Sequence, residues 1–258
     1  MNISKEFLES NLKLPLKTVI LKETDSTNTV CKKLSQSTEE DIAVIALSQS
    51  AGKGRLGRSF FSPENSGIYM SILLHPDICA KDCVKITTAA AVAAANAIDS
   101  VSGRHSLIKW VNDIYCDGKK VCGILTEASF SAGKSTPDYA VLGIGFNICE
   151  PESGFPDDIK EKAGSIFGKE SASEEKAARL ITEFTENFLG IYESLSKSGY
   201  MEEYRSRSMF TGKEVYFTRD GKEICGTVLG IGDNAELILK TADGTLSLMA
   251  GEVSLRAK

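Results

Sequence analysis

Three glycines, one lysine and two arginines crowd into Gly52 to Arg58, and Phe60-Phe61 follow at once. Residues of these types at this spacing have three chemical uses. Glycine amides and cations together hold a phosphate; arginine, lysine and aromatics contact and stack a nucleic-acid strand; or the stretch is a solvated basic hairpin tip. Gly52 to Ser59, G-K-G-R-L-G-R-S, comes close to the phosphate-binding pattern G-x-x-x-x-G-K-[ST], with Arg58 where that pattern has lysine. A P-loop must open a helix whose N-terminal amides hold the phosphate. Here Phe60-Phe61-Ser62-Pro63 and then strand-like GIYMSILL follow instead. What survives is a glycine-rich connection between two strands that carries three cations, with two readings in balance, a loop that folds over a phosphorylated ligand and a solvated basic hairpin tip. The acidic remainder of the chain disfavours RNA contact.

The remaining reactive residues exclude other chemistries. Seven cysteines, at 31, 79, 83, 116, 122, 149 and 225, are odd in number, never spaced C-x-x-C, and scattered through apolar segments as small core residues. A reducing cytoplasm fits them best. The two histidines, His75 and His105, pair with no cysteine at ligand spacing, so no protein-only metal site is expected and any metal arrives with a substrate. The net charge of -5 gives no general attraction to nucleic acid, and no apolar run approaches the length of a membrane span. The first seventeen residues, MNISKEFLESNLKLPLK, lack the pattern of a signal peptide.

The elements that must position the loop mix strands and helices without regular alternation. TVILKET, IAVIALSQ and GIYMSILLH read as strands, and Ser26 to Gln36 as a capped helix after the first. The alanine-rich stretch from Asp82 to Val101 predicts a helix with Ile86, Ala90, Ala93, Ala94, Ala97 and Ile98 on one face and Gly103 as its stop. SLIKWVNDIYCDGKKVCGILTEAS predicts a strand, a turn at Asp117-Gly118 and a second strand; YAVLGIGFNIC predicts a buried strand. A loop then leads to a helix capped at Ser171-x-x-Glu174, with Leu180, Ile181, Phe184, Phe188, Ile191 and Leu195 at helical spacing. From Thr211 onward, short strands punctuated by Asp-Gly, Gly-Asp-Asn and Ala-Asp-Gly turns predict a separate small barrel, dividing the chain into 1–209 and 210–258.

Five motifs then stand in one order: ETDSTN at Glu23 to Asn28, SQSAGKGRLGR at Ser48 to Arg58, KWVND at Lys109 to Asp113, GILTE at Gly123 to Glu127 and GIGFN at Gly143 to Asn147. Together with the closing Gly251-Glu252-Val253-Ser254-Leu255-Arg256, this order resembles the biotin protein ligases across nearly the whole chain. The resemblance implies an α+β fold: a mixed-sheet catalytic domain packed with helices, the class II synthetase-like biotin/lipoate ligase fold, plus a small C-terminal SH3-like β-barrel. It implies the monofunctional type without an N-terminal DNA-binding domain, since about twenty residues precede the first strand.

The activity implied is biotin–[biotin carboxyl carrier protein] ligation, a C–N bond-forming reaction. Biotin and ATP give biotinyl-5′-AMP and pyrophosphate, and biotin then passes to a lysine of a carrier domain such as that of acetyl-CoA carboxylase. ATP brings Mg²⁺. On this resemblance Ser26, Thr27, Asn28, Gln49, Gly52, Gly54, Gly123 and Gly145 would surround biotin. Lys53 and Arg55 would sit on its carboxylate and the phosphate, and Lys109, with Arg55, would neutralise charge as that carboxylate attacks the α-phosphorus. Arg55, Arg58, Phe60, Lys109, Asn112, Asn147 and Arg256 would form the ATP site, with Phe60 or Trp110 packing on adenine. Three departures from the family pattern stand out: Val111 where proline is common, Lys53 where arginine is frequent, and Phe60 where tryptophan is frequent. Two alternatives remain, a lipoate or octanoyl ligase or transferase of the same fold and a non-catalytic biotin-binding member. A homodimer stays open.

Overall fold

The computed structural model describes residues 3–168, 171–219 and 222–249, together with the backbone of 256–257. After a short helix α1 (Lys5–Asn11), strands β1 (Lys17–Thr24) and β2 (Ile42–Gln49) pair in parallel through the crossover helix α2 (Thr27–Leu34). Then come β3 (Gly67–Leu74), α3 (Cys83–Ser102), β4 (Ser106–Lys109), β5 (Asp113–Cys116), β6 (Lys119–Ser129) and β7 (Tyr139–Asn147). One seven-stranded sheet results, in the order β1-β2-β3-β7-β6-β5-β4, and every pair except the first is antiparallel. Helices α4 (Glu174–Tyr192) and α5 (Met201–Ser206) precede a five-stranded antiparallel sheet. It is built from β8 (Glu214–Arg219), β9 (Lys222–Ile231), β10 (Leu237–Thr241), β11 (Gly244–Leu248) and β12 (Arg256–Ala257).

Strand alternation separates a packing face from a working face. Ile68, Met70 and Ile72 of β3 and Leu142, Ile144 and Phe146 of β7 point into the main core, shared with α3 and α4. The intervening Tyr69, Ser71, Gly143 and Gly145 therefore face the other way. Register lines them up in two rows: Ser71 opposite Gly143 opposite Leu125, and Tyr69 opposite Gly145 opposite Gly123. Helix α2 covers the neighbouring part of this face, where Cys31 packs with Ile42, Val44, Leu73 and Val141.

Four sequence expectations need correction. The segment before Asp117 is two short strands, not one: β4 and β5 pair with each other around the Trp110-Val111-Asn112 turn. Helix α4 is capped by Ser173, whose hydroxyl accepts from the Lys176 amide, two residues later than the expected Ser171. The alanine-rich α3 is buried on nearly all sides, because it lies between the sheet and α4 with α5, and its small side chains permit that closeness. Cys79 and Cys225 are exposed, so the cysteines are not uniformly core residues. The Asp117-Gly118 turn agrees with expectation: φ of 49° and 76° are those of a type I′ hairpin.

The C-terminal sheet is tied to the turn between β4 and β5. Trp110, 6% exposed, donates from Nε1 to the Ala235 carbonyl at 2.8 Å. Arg205 of α5 donates to the Ile231 carbonyl at 2.8 Å and pairs with Asp233.

Candidate active site

The glycine-rich segment is a narrow hairpin. Gly54 N donates to Arg58 O at 2.7 Å and Phe60 N donates to Gly52 O at 2.8 Å, and a single 3₁₀ turn, Arg55–Gly57, caps it. A side chain at Gly52 would collide with the Phe60 carbonyl 2.4 Å from its Cβ, so glycine is what lets the two arms close. At the tip, Leu56 and Gly57 take φ of 56° and 72°, and Leu56 is 61% exposed. The hairpin leaves β2 and enters β3, so no helix N-terminus stands behind it, as the sequence predicts.

Beneath the hairpin lies an inner pocket lined by Ser26, Thr27, Asn28, Gln49, Lys53, Arg55, Phe60 and the glycine rows. Its floor is a hydrogen-bonded network. Gln49 Oε1 accepts from the Thr27 amide at 2.9 Å, and Gln49 Nε2 donates to Ser62 Oγ at 3.0 Å. Ser71 Oγ lies 2.7 Å from Thr27 Oγ1 and 2.6 Å from Asn28 Oδ1, and Asn28 Nδ2 donates to Glu127 at 2.9 Å. Glu127 also pairs with Lys32 at 2.7 Å. The glycines make room: a Cβ on Gly143 would lie 2.1 Å from Asn28 Oδ1, and one on Gly145 would lie 2.4 Å from the Phe60 ring. The side chains that this network presents to the pocket, those of Thr27, Asn28 and Gln49, are neutral donors and acceptors, which suits an uncharged polar ligand head.

A polar bridge leads outward. Arg55 donates from Nη1 to Asn112 Oδ1 at 2.8 Å, and Asn112 is itself pinned by Nδ2 donating to Ile124 O at 2.7 Å. The buried Arg55 Nη2 has no hydrogen-bond partner among the described residues. A guanidinium nitrogen left in that state is ready for an anion. Burial lowers the Arg55 pKa, with Asp113 opposing.

Beyond the bridge, an outer chamber of about 650 Å³ is lined by Arg58, Phe60, Lys109, Asp113, Tyr115, Lys120, Asn147, Phe155, Asp158, Ile159 and Lys162. Cations face an apolar, aromatic wall there, which suits a phosphorylated ligand with a flat ring. Lys109 Nζ sits 5.7 Å from the ring centroids of both Tyr115 and Phe210, and burial lowers its pKa despite the neighbouring Asp113 carboxylate. Lys120 Nζ is 2.7 Å from Asp113 Oδ1, off the geometry of a hydrogen bond, and 5.8 Å from the Phe60 centroid.

The structure brings most of the expected residues together. Ser26, Thr27, Asn28, Gln49, Lys53, Gly54, Gly123 and Gly145 line the inner pocket; Gly52 is buried at the base of the hairpin. Arg58, Phe60, Lys109 and Asn147 line the outer chamber. Asn112 does not: it lines the inner pocket and the bridge, holding Arg55. Asn147 uses its amide nitrogen to tie Gly164 O at 2.9 Å. Trp110 is committed to the C-terminal sheet, which leaves Phe60 of the two expected aromatics on the outer chamber. The Arg256 backbone pairs with Tyr216, and its side chain falls outside the described residues.

Three residues escape local sequence reading. Lys120 lines the inner pocket, the bridge and the outer chamber. Lys109 lines only the last two. Ser71 and Glu127 support the pocket floor through their bonds to Asn28, although 43 and 99 residues separate them from it. For Lys120 a signal exists, a lysine three positions before the GILTE motif. For Ser71 the only signal is a lone hydroxyl in an apolar strand.

The model of the Biotin/lipoate A/B protein ligase family matches residues 20–147, and that of the Biotin protein ligase C terminal domain matches 210–256. The bifunctional ligase/repressor BirA of Bacillus spizizenii is 33% identical over 221 residues, covering 84% of this chain and 66% of that protein. The chain thus spans about two thirds of the length of such relatives. A biotin–[acetyl-CoA-carboxylase] ligase of Paracoccus denitrificans is 28% identical, with 91% of this chain and 98% of that one covered. Among solved structures, the biotin protein ligase from Aquifex aeolicus in complex with biotin and ATP superposes with a TM-score of 0.74 at 26% identity, covering 94% of this chain and 99% of that one.

Proposed function

We propose, from the premise that this chain belongs to the biotin/lipoate protein ligase family, that it activates biotin with ATP and transfers it to a carrier-protein lysine. The observation that carries this reading is the polar bridge: a buried guanidinium nitrogen of Arg55, unpartnered among the described residues, beside Lys120, between a pocket whose far end presents Thr27, Asn28 and Gln49 and a cation-lined chamber. Two anions must meet there, a carboxylate from the inner side and a phosphate from the outer.

In the first step a biotin carboxylate oxygen forms a bond to the α-phosphorus of ATP, the bond to the β-phosphate oxygen breaks, and pyrophosphate leaves. Arg55 and Lys120 offset the repulsion between the anions, so positioning and charge suffice and no side-chain nucleophile is required. Lys109, Arg58 and Lys162 face the outer phosphates, and Phe60, Tyr115, Phe155 and Ile159 offer a surface to the base. Asp113 and Asp158 are oxygen donors suited to a Mg²⁺ ion carried by the triphosphate. In the second step the amine of a carrier lysine attacks the acyl carbon, forming the amide; AMP departs with the anhydride electrons, and the amine's proton is lost to solvent.

The charge neutralisation at the reacting groups that the resemblance gave to Lys109 passes in this reading to Lys120, which stands astride them, and Lys109 is left on the outer phosphates. The division at 209/210 separates the domain that holds these chambers from the C-terminal sheet that buttresses the Trp110 turn. The carrier domain of a biotin-dependent carboxylase is the acceptor in this reading.

Biotin-dependent exchange of labelled pyrophosphate into ATP tests it, with lipoate and octanoate run in parallel. Exchange with biotin alone supports the reading. Exchange only with lipoate or octanoate would identify the other branch of the family, and biotin binding without exchange a non-catalytic member.

A further inference from the structure

We propose that Glu127 is a positioning residue that fixes the direction of the hydrogen-bonded chain through Asn28, Ser71 and Thr27, and thereby makes the inner pocket a reader of N–H donors such as those of a cyclic urea. This rests on the biotin reading and adds the residue that sets the pocket's polarity.

The chain can be followed proton by proton. An ionised carboxylate only accepts, so the Asn28 atom 2.9 Å from Glu127 Oε2 is Nδ2, and Asn28 turns Oδ1 toward Ser71. Ser71 Oγ has one proton and two close neighbours, Asn28 Oδ1 at 2.6 Å and Thr27 Oγ1 at 2.7 Å. The amide oxygen has no proton to give. Ser71 therefore spends its single proton on Asn28, and the 2.7 Å contact takes its proton from the Thr27 hydroxyl, in preference to that hydroxyl's longer 3.2 Å bond to Gln49 Oε1. With its proton spent inward, Thr27 Oγ1 turns its lone pairs elsewhere. Gln49 Oε1, 3.2 Å from Thr27 Oγ1, is served by the Thr27 amide at 2.9 Å and keeps its second lone pair. Thr27 and Gln49 both line the inner pocket, so the pocket offers acceptors.

Several features hold Glu127 to this task. Lys32 Nζ occupies its other oxygen at 2.7 Å. Burial alone would raise the Glu127 pKa, but the hydrogen bonds from Asn28 and Lys32 and the charges of Lys32 and Lys53 outweigh it, so the group stays ionised. The Asn28, Ser71 and Thr27 side chains are buried, and Asn28 Oδ1 occupies the space that a Cβ on Gly143 would take.

An exchange of amide and acid separates polarity from packing. In Glu127→Gln, Lys32 draws the remaining carbonyl oxygen toward itself, so the new amide NH₂ faces Asn28, forces Asn28 to flip, and reverses every donor down to Thr27. In Asn28→Asp, two carboxylates face each other. In the double variant Asn28→Asp/Glu127→Gln, the introduced amide donates to the introduced carboxylate, which still accepts from Ser71, and the original direction returns with the same heavy-atom framework.

Biotin binding and the pyrophosphate-exchange KM for biotin, measured on the full chain, provide the readout. Each single variant should raise the biotin KM roughly ten- to hundred-fold, the range for losing a hydrogen bond to a charged group, with little change in the KM for ATP. The double variant should return to within about three-fold of wild type, although additivity would make it the worst of the set. If Asn28→Asp fails to fold, Glu127→Gln against the double variant still decides the matter. Additive losses, or a Glu127→Gln protein with normal biotin KM, would overturn the role of Glu127 while leaving the ligase reading intact. A wild-type protein that binds no biotin would overturn both.

Discussion

Replacing Lys120 and Lys109 by alanine, one at a time, distinguishes the two lysines that the sequence offers for charge neutralisation. Lys120 lines the inner pocket and the outer chamber, whereas Lys109 is held between Tyr115 and Phe210 and does not reach the inner pocket. Unit charges about 4 Å apart interact by about 4 kcal/mol at an effective dielectric of 20. Part of this is lost in either variant to relaxation and to water filling the space, and Lys120→Ala also leaves Asp113 without its ion-pair partner. A net loss of about 3–4 kcal/mol of transition-state stabilisation corresponds to a fall of roughly 10²–10³ in the exchange rate at saturating substrates. Lys109→Ala removes a cation from the outer phosphates only, and the expected loss is about 1–2 kcal/mol, mostly as a higher KM for ATP. The assay is pyrophosphate exchange with biotin and ATP varied independently, on variants whose folding is verified by thermal melting. A Lys109→Ala rate at saturation as low as that of Lys120→Ala, or a near-normal rate in Lys120→Ala, would refute the assignment of Lys120 to the reacting groups.

Four further outcomes are expected. Burial lowers the Lys109 pKa below 10.5, so its ammonium loses a proton earlier than that of an exposed lysine as pH rises; the KM for ATP should climb on that alkaline flank, and the climb should recede in Lys109→Arg, which stays charged. Gly145→Ala places a methyl carbon 2.4 Å from the Phe60 ring, so the ring must leave the floor and the biotin KM should rise, with wild-type kinetics counting against the packing described. Trp110→Phe strips the Ala235 carbonyl of its donor and should lower stability by about 1–3 kcal/mol, read from denaturant unfolding, whereas an unchanged midpoint would mean that the C-terminal sheet is not anchored through this bond. Trypsin should cut rapidly after the exposed Arg58 or after Arg55 in the free protein and slowly with biotin plus MgATP, because a phosphate offsets the repulsion among Lys53, Arg55 and Arg58; equal cutting in both conditions, with turnover verified, would make the hairpin a passive solvated tip.

Local chemistry made much of the fold legible in the sequence. The apolar β-branched runs became β1, β2, β3 and β7, the alanine-rich stretch became α3 with Gly103 as its left-handed stop, and Asp117-Gly118 became a two-residue hairpin turn. These features depend on neighbours a few residues apart, so the chain writes them directly. The glycine-rich segment was also legible as a hairpin between strands and not a P-loop, because GIYMSILL, a few residues downstream, has strand character and no helical period. Likewise, the motif order placed Thr27, Gln49, Arg55 and the glycines of β6 and β7 around one pocket.

Only the tertiary structure decided which lysine stands astride the pocket and the chamber. Lys109, Lys119 and Lys120 lie within twelve residues, and a register shift between Ile114 and Tyr115 sets Lys120 opposite Tyr115 while Lys119 reaches the Glu161 carbonyl at the rim. A one-residue change of register exchanges the faces of a strand, and nothing local reports it. The same holds for Ser71 and Glu127, which meet Asn28 because rows of β3, β7 and β6 stack side by side, and for Trp110, whose partner Ala235 lies 125 residues away. Residue types and their order fix what chemistry the chain carries. Cross-strand register and the docking of the C-terminal sheet decide which of those residues share a pocket.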